Sequence, residues 1–213
     1  LIMPLMRLKN KSLLILAHVL TTVPAEDLEK YLLRQKPDTL LFIGHPLFYK
    51  KGRPGSHYRL YKKGKLIKQV TYKNWNLPSP LLYIKDFFLS IYWITTIGKK
   101  WDIVIALDNL NTITSLVVKL LAKIDKIIYY TIDFVPHRFS NRLLNDFYHY
   151  LDKLSVQYAD LTWNISPRIA EGREKIRGLK QDVFSKQITV PIGVWYDEIK
   201  RKPYEKINPH TLV

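Results

Sequence analysis

Side chains able to grip a hydroxyl or a phosphate recur directly after apolar runs in this sequence. In IIYYTIDFVPHRFSN (127–141), a β-branched and aromatic run stops at Asp133, and Pro136, His137 and Arg138 follow at once. WDIVIAL (101–107) is followed by Asp108, Asn109 and Asn111. LLILAHV (13–19) leads to Thr21 and Thr22, TLLFIG (39–44) to His45, LTWNI (161–165) to Ser166 and Arg168, and the final run ends at Gly193. A carboxylate such as Asp133 or Asp108 can orient or deprotonate an alcohol. His137 and Arg138 can hold sugar oxygens or a phosphate. The same residues have structural readings: Asp108, Asn109 and Asn111 as a helix cap, Asp133 and Arg138 as an ion pair, His137 as a loop histidine, and His18 as a core histidine.

The elements around these residues alternate in type. Apolar runs at 13–19, 39–44, 101–107, 126–132, 161–165 and 188–194 read as buried strands. VPAEDLEKYLLRQ opens a helix, with Pro24 in its first turn and two acids near its positive end. Ile113, Leu116, Val117, Leu120, Leu121 and Ile124 form one helical face, and so do Leu143, Leu144, Phe147, Tyr148, Leu151 and Leu154, with Ser140 as the expected cap. Ser166-Pro167 reads as a cap and first-turn proline, and Gly178 as the stop of that helix. HYRLYKKGKLIKQVTYK (57–73) reads as a hairpin turning at Lys63-Gly64. The pattern predicts an α/β, Rossmann-like, mostly parallel sheet with helices on both faces and an inserted basic β-hairpin. In such sheets ligands bind beyond the carboxyl ends of the strands, where the polar residues above lie.

Charge adds a second theme. The net charge is +16, and residues 50–73 carry Lys50, Lys51, Arg53, Arg59, Lys62, Lys63, Lys65, Lys68 and Lys73 with no acid among them. Such a cluster attracts an anionic partner: nucleic acid, acidic lipid headgroups or phosphorylated sugars. SPLLYIKDFFLSIYWITTIG (79–98) keeps only eleven uncharged residues from Phe87 to Ile97, which is short of a span and suits a buried or membrane-surface helix. Cysteine is absent, which excludes disulfides, thiolate metal sites and cysteine nucleophiles and suits a reducing compartment. There is no G-x-G-x-x-G, Walker A, G-x-S-x-G, H-E-x-x-H or Asp-x-Asp signature, and no metal site is expected.

YYTIDFVPHRFSNRLLNDFYHYLDKLSVQYADLTWNIS, with ITVPIGV downstream, resembles the amino-terminal half of bacterial GT-B glycosyltransferases. The order is similar to theirs: strand, acidic rim, helix, Ala-Asp before a strand, serine opening the next helix. The closing P-I-G-V is similar to the P-x-G-V that ends the first Rossmann-like domain of the retaining group. The resemblance implies two such domains facing a cleft, the first holding the acceptor and the second a nucleotide-sugar donor, with no metal. Residues 1–195 are then the acceptor-side domain. NPHTLV looks like the start of the donor domain's opening strand, so 196–213 would be linker plus the beginning of that missing domain. The family's donor-side pair of glutamates, with seven residues between them, is not matched by Glu198 and Glu205, which have six between them, and the glycine-rich turn after the first strand is absent.

The expected activity is sugar transfer to an acceptor hydroxyl, lipid-linked or on a cell-envelope glycan, by a cytoplasmic enzyme at the inner face of the plasma membrane. Asp133 and Asp108 are the candidate catalytic residues. Thr21, Thr22, His45, Asn109, Asn111, His137, Arg138, Ser166 and Arg168 are the candidate acceptor contacts, and the 50–68 basic residues meet an anionic surface. No cofactor is expected in this chain; the nucleotide-sugar is the donor substrate of the full enzyme. The alternative is a basic nucleic-acid-binding module, or a non-catalytic module binding sugar or membrane. The rim residues have no task in a nucleic-acid binder, which argues against that partner.

Overall fold

In a computed structural model, residues 8–19, 24–46, 55–73, 77–98, 100–180, 187–193 and 195–196 are described. Eight strands form one sheet: β1 (Ser12–Val19), β2 (Thr39–Pro46), β3 (His57–Lys62), β4 (Lys65–Thr71), β5 (Trp101–Leu107), β6 (Ile124–Thr131), β7 (Leu161–Asn164) and β8 (Gln187–Thr189). Between them run α1 (Pro24–Arg34), α2 (Ser79–Ile97), α3 (Asn109–Leu120), α4 (Arg142–Tyr158) and α5 (Pro167–Arg177). The spatial order is β4-β3-β2-β1-β5-β6-β7-β8, with β3 antiparallel to both β2 and β4 and every other pairing parallel. This is the Rossmann-like α/β fold the apolar runs predict.

Period-two alternation assigns each strand residue to one of two cores. Leu14 and Leu16 of β1 and Leu41 and Ile43 of β2 pack with Trp93 and Ile94 of α2, Val118 of α3 and Val156 of α4. Leu13, Ile15 and Ala17 face the other way, with Ala25 and Leu32 of α1. The strands are therefore apolar on both faces, which is why they read as continuous runs rather than alternating ones. Past β8 the chain returns to α1, where the Trp195 indole donates to Asp27 at 3.0 Å and lies 3.9 Å from the Arg34 guanidinium.

The hairpin turns where expected, with φ of +49° at Lys63 and +79° at Gly64, the pair of positive values a type I′ turn requires. Ser166 caps α5 ahead of Pro167, and Gly178 ends it in the left-handed region at φ +66°. Three expectations are corrected. Ile124 begins β6 instead of extending α3. Asn141, not Ser140, caps α4, accepting from the Leu144 amide at 3.1 Å. The third concerns the α4 face: Leu143, Leu144 and Phe147 lie outside, 80%, 52% and 58% exposed, while Asn145, His149, Asp152 and Ser155 are buried. The reason is Arg173, fully enclosed beneath the helix, which donates to both Asp152 oxygens at 2.8 Å and also to Asn164 and Thr131. A buried cation needs polar partners, so the polar side of α4 turns inward.

Candidate functional site

The strand order reverses between β1 and β5, and in open parallel sheets ligands bind at the strand exits beside such a switch point. Register decides which side chains meet there. Ala17 pairs with Leu107, so the next residue of each strand, His18 and Asp108, also face each other, and His18 Nδ1 lies 2.7 Å from Asp108 Oδ2. On the other flank His18 pairs in register with His45 of β2.

Asp108 is held on several sides. Oδ1 accepts the Asn111 amide at 2.9 Å, which caps α3, and Oδ2 also accepts Asn111 Nδ2 at 2.8 Å. Its backbone sits at φ +96°, ψ +164°, a region that is essentially glycine-only and costs other residues about 1–3 kcal/mol. The side chain remains 35% exposed. An ordinary helix cap needs neither this conformation nor a buried histidine behind it. Asp108 therefore caps α3 and is at the same time an anchored carboxylate that keeps part of its surface exposed.

Behind it lies a buried relay of charge. Asp86 of α2 stands 3.8 Å from His18 Nε2 and 3.1 Å from His45 Nδ1, and the Lys85 ammonium touches it at 2.7 Å. Ser56 bridges this group, donating to Asp86 at 3.1 Å and accepting from Lys85 at 2.8 Å, while His45 Nε2 meets the Ser90 hydroxyl at 2.7 Å. Burial opposes charge on His18, but Asp108 and then Asp86 outweigh it and raise its pKa, so the imidazolium is favoured between two carboxylates. Burial pulls His45 down, only partly offset by Asp86, and it stays neutral. Burial also works against an ionised Asp86, yet hydrogen bonds from His45 and Lys85 bring its pKa down to about 2.

A second group comes from the β6 exit. Arg138 donates to Asp133 at 2.9 Å, and its guanidinium lies 5.3 Å from the Tyr148 ring. Asn145 Oδ1 accepts the amides of Arg138 and Phe139, and Asn145 Nδ2 and His149 Nε2 both donate to the Pro136 carbonyl, so the loop is tied down on α4. Burial raises the Tyr148 phenol; Arg138 opposes that, and Asp133 adds to it. On the His18 side, the Tyr83 ring meets the imidazole edge-on at 5.5 Å. Asp108 and the Asp133–Arg138 pair thus follow the exits of two adjacent strands, β5 and β6.

Other expected residues are placed differently. His45, Asn109 and Asn111 are buried, and their hydrogen bonds go to Ser56 and Ser90, to the Tyr148 carbonyl, and to Asp108 and the Leu107 carbonyl respectively. They support the rim from inside instead of facing an acceptor. His137 is exposed; Ser166 accepts the Arg168 amide, and Arg168, 81% exposed, pairs with Glu171. Arg59, expected on the anionic surface, is held inside by a two-pronged pair with Glu29 and lies over the Phe42 ring. Lys62, Lys63, Lys65 and Lys68 are exposed, while Thr21, Thr22, Lys50, Lys51, Arg53 and 197–213 lie outside the described residues. No group of His, Asp or Glu among the described residues is arranged to hold a metal ion. Sequence reasoning missed His18, Tyr83, Lys85 and Asp86 as site residues. The two available signals were a histidine one position before a strand exit and a polar Lys-Asp pair inside an apolar helix.

No protein-family model and no curated protein matches the sequence. Among solved structures, the chain is similar to the catalytic domain of starch synthase IV from Arabidopsis thaliana bound to ADP and acarbose, with a TM-score of 0.57 and 12% identity. The match covers 87% of this chain, which spans about half, 52%, of that one. At this identity the likeness is one of fold: the chain shares the Rossmann-like α/β architecture of part of a starch synthase catalytic domain.

Proposed function

We propose that this chain is the acceptor-side half of a retaining GT-B glycosyltransferase of bacterial type, moving a sugar from a nucleotide-sugar to an acceptor hydroxyl. The observation that carries the reading is Asp108, a partly exposed carboxylate kept at the switch point in a backbone conformation that ordinary residues avoid. The fold shared with a catalytic domain bound to ADP and acarbose, a nucleotide and an oligosaccharide analogue, supports the reaction class. In transfer, the bond from the anomeric carbon to phosphate breaks, its electron pair leaving with the nucleotide, a bond to the acceptor oxygen forms, and the hydroxyl proton passes to the Asp108 carboxylate. Asp108 holds that hydroxyl by its hydrogen and sets its line of attack. His18 fixes the carboxylate, and Arg138, steadied by Asp133, binds neighbouring acceptor oxygens. A carboxyl-terminal domain would bring the donor, and residues 1–213 alone are expected to transfer no sugar.

The test is Asp108→Asn in the full-length enzyme, assayed by nucleoside diphosphate release across a panel of nucleotide-sugars and acceptors. Loss of a positioned acid–base group lowers kcat/KM by about 10²–10⁴-fold, with the thermal midpoint near that of the parent. A variant with parental turnover removes Asp108 from the mechanism. Absence of transfer by the parent with every donor removes the reading.

A further inference from the structure

The layer that covers the β1–β7 helix side has an unusual outer surface. Leu81, Ile84, Phe88 and Tyr92 of α2 are 48%, 53%, 63% and 57% exposed, and their spacing of three, four and four aligns them in one stripe. Because α4 turns its polar side inward, it presents a second stripe: Leu143, Phe147, Tyr150 and Tyr158 are 80%, 58%, 55% and 57% exposed. α3 lies between the two helices and packs on both. At 1.5 Å per residue the stripes run about 17 Å and about 22 Å, and two helix spacings set them about 20 Å apart.

Charge selects the occupant. The exposed positions of α2 carry no acid, and the one exposed carboxylate of α4, Asp146, is paired with Arg142 and Arg177. Arg142 is 95% exposed and Lys153 is exposed on the same helix, and the hairpin adds Lys62, Lys63, Lys65 and Lys68. A second copy of a chain with net charge +16 would meet this surface with its own excess of positive charge. An anionic bilayer answers both features, taking the apolar rails between headgroups and the cations at phosphate level. No described helix is long and apolar enough to cross a membrane, so the rails would lie along the interface.

We infer that the outward face of α2 and α4 is a docking surface for an anionic lipid bilayer, oriented to deliver the hydroxyl of a lipid-linked acceptor to Asp108. The rim ends of both rails, Leu81 and Leu143, flank the start of α3, which Asp108 caps, so a headgroup rising between them arrives at the carboxylate. The docking stands on the surface alone; delivery to Asp108 rests on the transferase reading above.

The purified protein is centrifuged with phosphatidylcholine vesicles with and without phosphatidylglycerol. It is expected to pellet with the anionic vesicles, to stay in solution with the neutral ones, and to be released as salt rises. Phe88→Ser with Phe147→Ser, both surface changes, is expected to weaken binding on the order of a hundredfold while the melting midpoint holds. Arg142→Glu with Lys153→Glu should weaken the preference for anionic vesicles, and Asp108→Asn should bind as the parent does. Parental binding by the Phe88/Phe147 variant, no binding to anionic vesicles, or a dimer that these changes dissociate would overturn the inference. Turnover on a water-soluble acceptor, unaffected by the Phe88 and Phe147 changes, separates failure of docking from failure of the transferase reading.

Discussion

Replacing Asp108 by alanine and, separately, by glycine isolates the backbone strain at the switch point. Both variants lose the carboxylate and its bonds to His18 and Asn111, so those losses cancel in the comparison. At φ +96°, ψ +164° alanine keeps the roughly 1–3 kcal/mol of strain and glycine sheds it. Glycine is also the better helix cap by about 0.5–1 kcal/mol, while its freer unfolded chain disfavours it by about 0.4–1 kcal/mol. Those two terms offset each other. Asp108→Gly should therefore be more stable than Asp108→Ala by about 1–3 kcal/mol, the reverse of the usual order. With a urea dependence of about 3 kcal/mol per molar, the unfolding midpoints separate by about 0.3–1 M. An alanine variant as stable as the glycine variant, or more so, would show that the conformation is not strained and would remove the main argument for a functional carboxylate here.

Two further outcomes concern buried charge. Arg173→Met strands Asp152, 4% exposed, with only the Tyr129 hydroxyl as donor among the bonds described, and should cost about 3–5 kcal/mol in urea unfolding, whereas pairing it with Asp152→Leu should recover much of the loss. Asp86 has its folded pKa depressed from 3.8 to about 2, so its contribution, about 2 kcal/mol, is present above pH 3.8 and fades as pH falls through about 2. Asp86→Asn should flatten the stability–pH curve over that window, and an unchanged acid limb would contradict the ionised assignment.

The elements were legible because their signals are local. The Lys63-Gly64 turn, the Ser166-Pro167 cap and the Gly178 stop each need only the residues that form them, and each stands where the sequence puts it. Apolar runs long enough for doubly covered strands indicated the parallel sheet. The interior of the site was not legible, because His18 meets Asp86 and Asp108 from 68 and 90 positions away, and only the packing of α2 on the sheet and the register of β1 with β5 bring them together. Periodicity misassigned the inner face of α4 for a related reason. The face with more apolar side chains is ordinarily inside, but a single arginine on α5 imposed the opposite choice through contacts 21 residues apart. Arg59 looked like one more surface cation until Glu29, thirty positions earlier, enclosed it.

The central position of β1 has a consequence for the growing polypeptide. One edge of β1 closes against β2 within a few dozen residues, but the other waits for β5, whose last residue is 107. At about 5–20 residues per second that interval on the ribosome lasts about 4–18 s. Throughout it the bare edge of SLLILAHV can pair with any extended segment nearby, while α2 emerges before β5 and β6 complete the face it packs on. Newly made chains should accordingly be captured by strand-shielding chaperones before Leu107 appears, and ignored by them soon after.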